Sequence, residues 1–245
     1  MNTILFDLDG TLLPMDQQAF SDTYYKALSS RFRHSDYDSV KMLEAVDCGM
    51  RAMLSNDGYR TNEEAFWQTF RQTYVVNGKK LEKGELKKIE RIMLRFYAND
   101  FAVTRFNTNA TPLAEECVEL LKKKGYGVAV ATNPFFPDVA TRERIRWAGL
   151  DPDDFLLITT YENSCFCKPN LGYYRHVLKT LGKEPDDCLM VGNDVDEDMC
   201  AAKLGIDVFL IDECLINRHD DDTSVFKSGG WDAFCEFAGD LPVLI

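Results

Sequence analysis

Two carboxylates stand two residues apart where an apolar run breaks into glycine, in Ile4-Leu5-Phe6-Asp7-Leu8-Asp9-Gly10-Thr11. In an extended strand, positions i and i+2 project to the same side, so Asp7 and Asp9 are expected to reach one point in space while Leu8 packs the other way. Anions that close repel each other, and an apolar sheet end strips them of hydration, so a cation belongs between them. Two solvated acids at a strand end before a turn would give the same letters. The readings separate on whether other polar groups arrive at the same place. Thr132-Asn133, Lys168 and Gly192-Asn193-Asp194 are the candidates.

The elements that would carry them alternate. Thr111-Pro112 opens an amphipathic helix that closes on Lys122-Lys123-Lys124-Gly125, where cations and glycine suit a helix carboxyl end. Apolar strands are expected over Val128–Thr132, Phe155–Thr160, Cys188–Gly192 and Val208–Ile211, with helices over Pro137–Trp147, Leu171–Leu181 and Asp196–Leu204. A short final helix is expected near Phe234. Buried strands separated by helices imply an α/β fold: a Rossmann-like, mostly parallel sheet covered on both faces, with its ligand site beyond the carboxyl ends of the strands. Asp7, Asp9, Thr132, Asn133 and Asp194 all fall at such ends, and Lys168 opens the loop into the helix at Leu171.

Residues 15–107 have a different texture. Phe20, Tyr24, Ala27 and Leu28 make one stripe at helical spacing; Val40, Leu43, Ala45 and Val46 begin a second; Phe66, Phe70 and Tyr74 make a third; Leu86, Ile89, Ile92, Met93 and Phe96 make a fourth. Breaks fall at Asn56-Asp57-Gly58 and Asn77-Gly78. The segment reads as an all-helical domain, 15–107, inserted into a core formed by 1–14 and 108–245. Its aromatic stripes are read as that domain's own core.

Of 245 residues, 45% are hydrophobic and 28% charged, the composition of a globular protein with room for a substantial core. The formal net charge of −12 argues against a nucleic-acid backbone or an anionic membrane surface as partner. The insert holds 15 Lys and Arg against 13 Asp and Glu, leaving 13 against 27 elsewhere, so a near-neutral segment interrupts an acidic body. The first strand begins too early for a signal region, and no run of about 18 apolar residues occurs. A cytoplasmic location is expected. Eight scattered cysteines suit reduced thiols, and with only three histidines no zinc spacing appears. No obligate protein partner is evident.

These motifs, in this order, resemble the haloacid dehalogenase superfamily of phosphotransferases. Asp7-Leu8-Asp9-Gly10-Thr11 is similar to its first motif, Thr132 to its second, Lys168 in Cys167-Lys168-Pro169 to its third, and Gly192-Asn193-Asp194-Val195-Asp196-Glu197-Asp198 to its acidic fourth. The resemblance implies a phosphomonoester hydrolase acting on a small phosphorylated metabolite. Asp7 would be the nucleophile that forms an aspartyl-phosphate, and Asp9 the acid that protonates the leaving alkoxide and then activates water. The family's haloacid-cleaving members lack an acid at that second position, so Asp9 speaks for phosphate esters. Thr132 and Asn133 would hold phosphate oxygens, and Lys168 would offset charge on nucleophile and phosphate alike. Mg2+ is the implied cofactor, held by Asp7, the Asp9 carbonyl and an acid of the fourth motif.

That motif can be aligned in two registers, giving Asn193 or Asp194 as the metal ligand. Asp194 is favoured because a carboxylate binds the cation more strongly than an amide. Asp198 would orient Lys168 or a metal-bound water, whereas Asp196 and Glu197 read as ordinary helix-entry acids. The insert matches the position of the family's mobile helical cap, so Arg51, Tyr59 and Arg60 become candidates for touching substrate. Two other functions share these residues: a capped sugar phosphomutase using the same aspartyl-phosphate, and a receiver-like module phosphorylated on Asp7 as a switch. The second acid and the large insert count against the receiver.

Overall fold

The computed structural model describes residues 1–76 and 79–244, so the expected break at Asn77-Gly78 lies outside the described residues. Strand β1, Thr3–Phe6, is wholly buried and leads through a tight turn into the inserted segment. There α1 (Gln17–Arg33) starts where Asp16 accepts from the Ala19 amide, and α2 (Ser39–Leu54) where Asp38 accepts from Val40 and Lys41. A reciprocal Thr61–Glu64 capping box opens α3 (Asn62–Thr73). A two-residue pairing follows, β2 (Val75–Val76) antiparallel to β3 (Lys79–Lys80), then α4 (Lys83–Arg95), a π turn over Phe96–Asp100 and a 3-10 stretch over Phe101–Asn107.

An all-helical insert is expected, but the described residues include one short antiparallel pairing, β2 with β3. Phe20, Tyr24, Leu28, Phe66, Phe70, Ile89, Met93 and Phe96 of the anticipated stripes are buried, whereas Val40 is exposed. The chain returns to the point it left: Met15 pairs with Thr108, the Asp16 amide donates to the Asn107 carbonyl, and the Asn109 amide to that of Pro14.

The remaining chain runs α5 (Pro112–Lys123), β4 (Gly127–Val130), α6 (Asp138–Trp147), α7 (Leu171–Leu181), β5 (Cys188–Gly192), β6 (Asp207–Ile211), β7 (Lys227–Gly229) and α8 (Trp231–Asp240). Five strands form one parallel sheet in the order β4-β1-β5-β6-β7. Period-two alternation splits its faces. Ile4, Phe6, Val128, Val130 and Val191 belong to the larger core, which includes Trp231 and Phe234 of α8, while Leu5, Ala129 and Met190 pack with Tyr173, Tyr174 and Val177 of α7. Register fixes the functional edge: Phe6 lies level with Val130 on one side and Val191 on the other, so β1, β4 and β5 end on one rim.

Three local expectations change. Phe155–Thr160 runs beside β4, with the Val130 amide donating to Leu157 and the Thr159 amide to Val130, but only one bridge, Val130–Ile158, forms. Over 196–204 a turn and a short 3-10 stretch, Met199–Leu204, replace the expected helix, and the Asp194 carbonyl takes the amides of both Asp198 and Met199 at its start. Strand β7 had no apolar signature in Lys227-Ser228-Gly229.

Candidate active site

The rim opens into a cavity of about 310 Å³ lined by Asp7, Asp9, Thr132, Asn133, Asn193, Asp194, Glu197 and Asp198 from the sheet side. Residues more than a hundred positions apart thus meet, as the strand-end argument requires. The local reason for the first pair differs from the i, i+2 expectation. Strand β1 ends at Phe6, and the chain turns through Leu8–Leu12, so each acid takes its own cation instead of sharing one. Gly10 permits that turn: its φ is +90°, and a Cβ there would collide with the Asn193 side chain.

Asp7 is met by Lys168. The ammonium, wholly buried, donates to Asp7 Oδ1 at 2.8 Å and to Asp198 Oδ1 at 2.6 Å. Asp198 is fixed in turn by the Asp194 amide, which donates to its Oδ2 at 3.0 Å, and it lies against Gly192 where no Cβ would fit. Burial pushes the Asp7 carboxyl up to about 6 and that of Asp198 up to about 7, against the pull of Lys168. Burial also disfavours the ammonium, but the two carboxylates outweigh it and hold Lys168 well above the ordinary lysine range. Lys168 therefore stays charged, and two carboxylates compete for one cation in a desolvated place.

Asp9 is met by Arg144, a residue that the sequence reading missed. Arg144 of α6 has no exposed side-chain surface; its Nη1 binds Asp9 Oδ2, its Nη2 donates to Thr141 Oγ1 at 3.3 Å, and its guanidinium stacks over Phe136 at 4.5 Å. Asp9 Oδ1 is buried and has no hydrogen-bond partner among the described residues. One signal was present in the sequence: Arg144 lies four residues after Ala140 and one before Ile145, inside the buried stripe of α6.

Asp194 is met by Arg218, also missed, whose Nη1 lies 2.7 Å from Oδ2 and 2.9 Å from Oδ1. Oδ1 additionally takes the amides of Asp196 and Glu197 at 3.0 Å. Asn193 has its amide occupied at both ends, accepting from Thr11 Oγ1 at 3.0 Å and donating to the Cys214 carbonyl at 2.6 Å. Of the two fourth-motif candidates, Asp194 is the carboxylate beside the cavity and Asn193 a clamp on the first turn.

Thr132 is held through its carbonyl, which accepts from Thr159 Oγ1 at 2.7 Å and the Tyr173 hydroxyl at 2.8 Å. Its own hydroxyl makes no hydrogen bond among the described residues, and the residue is one of those lining the cavity. Asn133 lines it too, but its side chain braces the Lys168 backbone: Oδ1 accepts from the Lys168 amide at 3.2 Å, and Nδ2 donates to the Lys168 carbonyl at 3.4 Å and to Glu197 Oε2 at 2.8 Å. Glu197 is thus a member of the site rather than a helix-entry acid, and burial raises its carboxyl. Arg51, Tyr59 and Arg60 do not line the cavity; Arg51 pairs with Asp47, Arg60 with Gln68, and Tyr59 is 89% exposed.

Five carboxylates (Asp7, Asp9, Asp194, Glu197 and Asp198) face three cations (Lys168, Arg144 and Arg218), an excess of two negative charges. The donor set suits a hard divalent cation. Asp7 and Asp194 offer carboxylates to one cavity, and the Asp9 carbonyl accepts no hydrogen bond among the described residues. No three Asp, Glu, His or Cys side chains among the described residues are grouped to hold a metal by themselves. That fits an ion which keeps several waters and takes only one or two carboxylates from the protein.

A family model described as haloacid dehalogenase-like hydrolase matches residues 1–205. Among solved structures, an HAD phosphatase from Thermococcus onnurineus superposes with a TM-score of 0.58 at 18% identity, covering 100% of both chains. A protein from Haemophilus somnus 129PT, described as a predicted phosphoglycolate phosphatase, gives 0.56 at 18% identity over 97% of each chain. An L-2-haloacid dehalogenase from Xanthobacter autotrophicus gives 0.57 at 16% identity over 98% of this chain and 99% of that one. At such identities the likeness speaks for the fold.

Proposed function

The chain belongs to the haloacid dehalogenase-like hydrolases, and on that footing we propose that it is a magnesium-dependent phosphomonoester hydrolase working through an aspartyl-phosphate on Asp7. The observation that carries this reading is the buried Lys168 ammonium between Asp7 and Asp198, two acids that line a cavity together with a third, differently partnered one, Asp9. An ester hydrolase needs both a nucleophile and a separate proton carrier; halide displacement needs no acid on the leaving group.

Asp7 attacks phosphorus with one carboxylate oxygen while Lys168, fixed by Asp198 and by Asn133 along its backbone, faces the charge that accumulates on the phosphoryl group. The Thr132 hydroxyl is free to donate to an equatorial oxygen. Asp9, anchored through Oδ2 by Arg144, has Oδ1 left to give a proton to the leaving alkoxide and then to take one from the attacking water. Bound by Asp7, Asp194 and the Asp9 carbonyl, Mg2+ would supply the positive charge that lets a phosphate dianion approach an anionic floor.

The insert between β1 and β4 serves as a cap over the cavity, and α3 is tied to the loop bearing Lys168: the Asn62 amide donates to the Ser164 carbonyl at 2.8 Å, and its side chain to the Phe166 carbonyl at 3.3 Å. A cytoplasmic setting belongs to the same reading, supported by eight free cysteines. No described helix is long and apolar enough to cross a membrane.

The test is phosphate release from a panel of phosphomonoesters in Mg2+, with a single turnover in ¹⁸O-water read by mass spectrometry. Because water attacks phosphorus, label is expected in the released phosphate and not in the Asp7 carboxyl, and acid quenching is expected to trap a phosphoryl group on Asp7. Phosphate returned to a sugar instead of to water would make the protein a mutase, and turnover without any phosphoryl group trappable on Asp7 would end the covalent scheme.

A further inference from the structure

The cavity's two walls differ in kind. The sheet side carries every charge, whereas the wall contributed by the insert consists of Met15, Phe20, Tyr24, Tyr25 and Met50, with Gln17 and Ser21 as its polar members. Phe135 and Phe136 continue this surface on the sheet side, and the Phe136 ring meets Phe20 and Tyr24 edge-on at 6.4 and 5.5 Å. The tyrosine hydroxyls are already engaged: Tyr24 with Tyr97 at 2.9 Å, Tyr25 with the Met50 sulfur at 3.5 Å. These residues therefore present rings and a thioether rather than hydrogen-bonding groups. Among the described residues, no Lys, Arg or His of 15–107 lines the cavity.

We propose that the alcohol portion of the substrate is neutral and carries a flat ring, an aryl or nucleoside-like monoester, and that phosphoesters bearing a second anionic group are rejected. This deepens the phosphatase reading and rests on it. A substrate whose phosphate lies at Asp7 must place its remainder against the insert, because the same 310 Å³ space holds both. A carboxylate or second phosphate there would lose its hydration against aromatic rings. It would also find no spare counter-charge, since Lys168, Arg144 and Arg218 each face a carboxylate already. A planar ring gains dispersion and edge-to-face contact with Phe20, Tyr24 and Phe136 and loses nothing polar. Gln17 and Ser21 supply hydrogen bonds suited to neutral heteroatoms. The volume lies at the lower end of small-molecule pockets, which suits one ring system.

The experiment compares kcat/KM in Mg2+ for phenyl phosphate, uridine 5′-monophosphate, phosphoglycolate and fructose 1,6-bisphosphate. At least one ring-bearing ester is expected to exceed both polyanionic ones by 100-fold or more. Met50→Arg and, independently, Ser21→Arg are expected to shrink that ratio at least tenfold by giving the wall a cation. Thermal protection in Mg2+ by phenylphosphonate but not by phosphonoacetate would show the same preference without turnover. Phosphoglycolate or the bisphosphate within tenfold of the best ring-bearing ester would overturn the inference and leave the phosphatase reading standing. Release of phosphate from no ester, with no protection by either phosphonate, would end both.

Discussion

The two walls of the cavity are built on opposite principles. On the sheet side, Asp7, Asp9, Asp194 and Asp198 are each held by a named cation or amide, most of them buried, so that displacing one group leaves another unpaired. On the insert side, Phe20, Tyr24, Tyr25 and Met50 are held by packing, where neighbouring rings can exchange places at modest cost. Directional chemistry is over-determined, and the surface that meets the variable part of a ligand is not. Substitutions should therefore fall into two classes, severe on one side and graded on the other.

The sharpest way to break this contrast is Asp7→Asn. It removes the nucleophile without changing shape, and phosphate release should fall by roughly three orders of magnitude or more with circular dichroism unchanged. Asp9→Asn should cost about 10²- to 10⁴-fold in kcat, since it removes the proton carrier and spares Lys168. An isosteric change that left either rate near wild type would mean that the charged wall is structural only.

Arg144→Ala tests whether burial, not surface charge, sets the cost. Leaving Asp9 without its buried partner should destabilise the fold by about 3–5 kcal/mol in a urea titration, and Arg144→Ala/Asp9→Ala should recover part of that loss. Asp194→Asn should raise the Mg2+ concentration that half-protects against thermal unfolding by on the order of tenfold, and chelation should abolish hydrolysis until Mg2+ is restored. At the small end, Tyr25→Phe should change kcat/KM for phenyl phosphate by less than about threefold, because the hydroxyl it loses faces a sulfur. An effect as large as that of Asp9→Asn would erase the distinction between the walls.

The same contrast explains what could be read in advance. Asp7 and Asp194 were legible because strand ends are places that sequence can locate, and a parallel sheet brings them to one edge; Lys168 was legible as the cation opening the loop into α7. The fold class followed from apolar runs in β4, β5 and β6. Arg144 was obscured by Arg142 and Arg146, which share its letters but lie on other faces of α6, and only packing separates the buried one from its half-exposed neighbours. Arg218 sits in a loop with no periodicity to place it. Asn133 was expected at phosphate but braces Lys168, because an amide beside a backbone finds partners that sequence spacing does not reveal. The insert's stripes were visible as helices, yet which stripe residues would face the cavity depended on how helices pack, a relation with no local signature.

The stem joining the two parts carries its own consequence. Pro14 and Asn109 are hydrogen-bonded neighbours, flanked by the Met15–Thr108 bridge, so ninety-odd residues leave and return through a single gate. Loop-closure entropy grows only slowly with length, and here the ends are already joined. Evolution or an engineer could thus exchange segments beyond that gate, changing which molecules are admitted, provided that the contacts of α3 with the loop bearing Lys168 and of Phe20 and Tyr24 with Phe136 were kept.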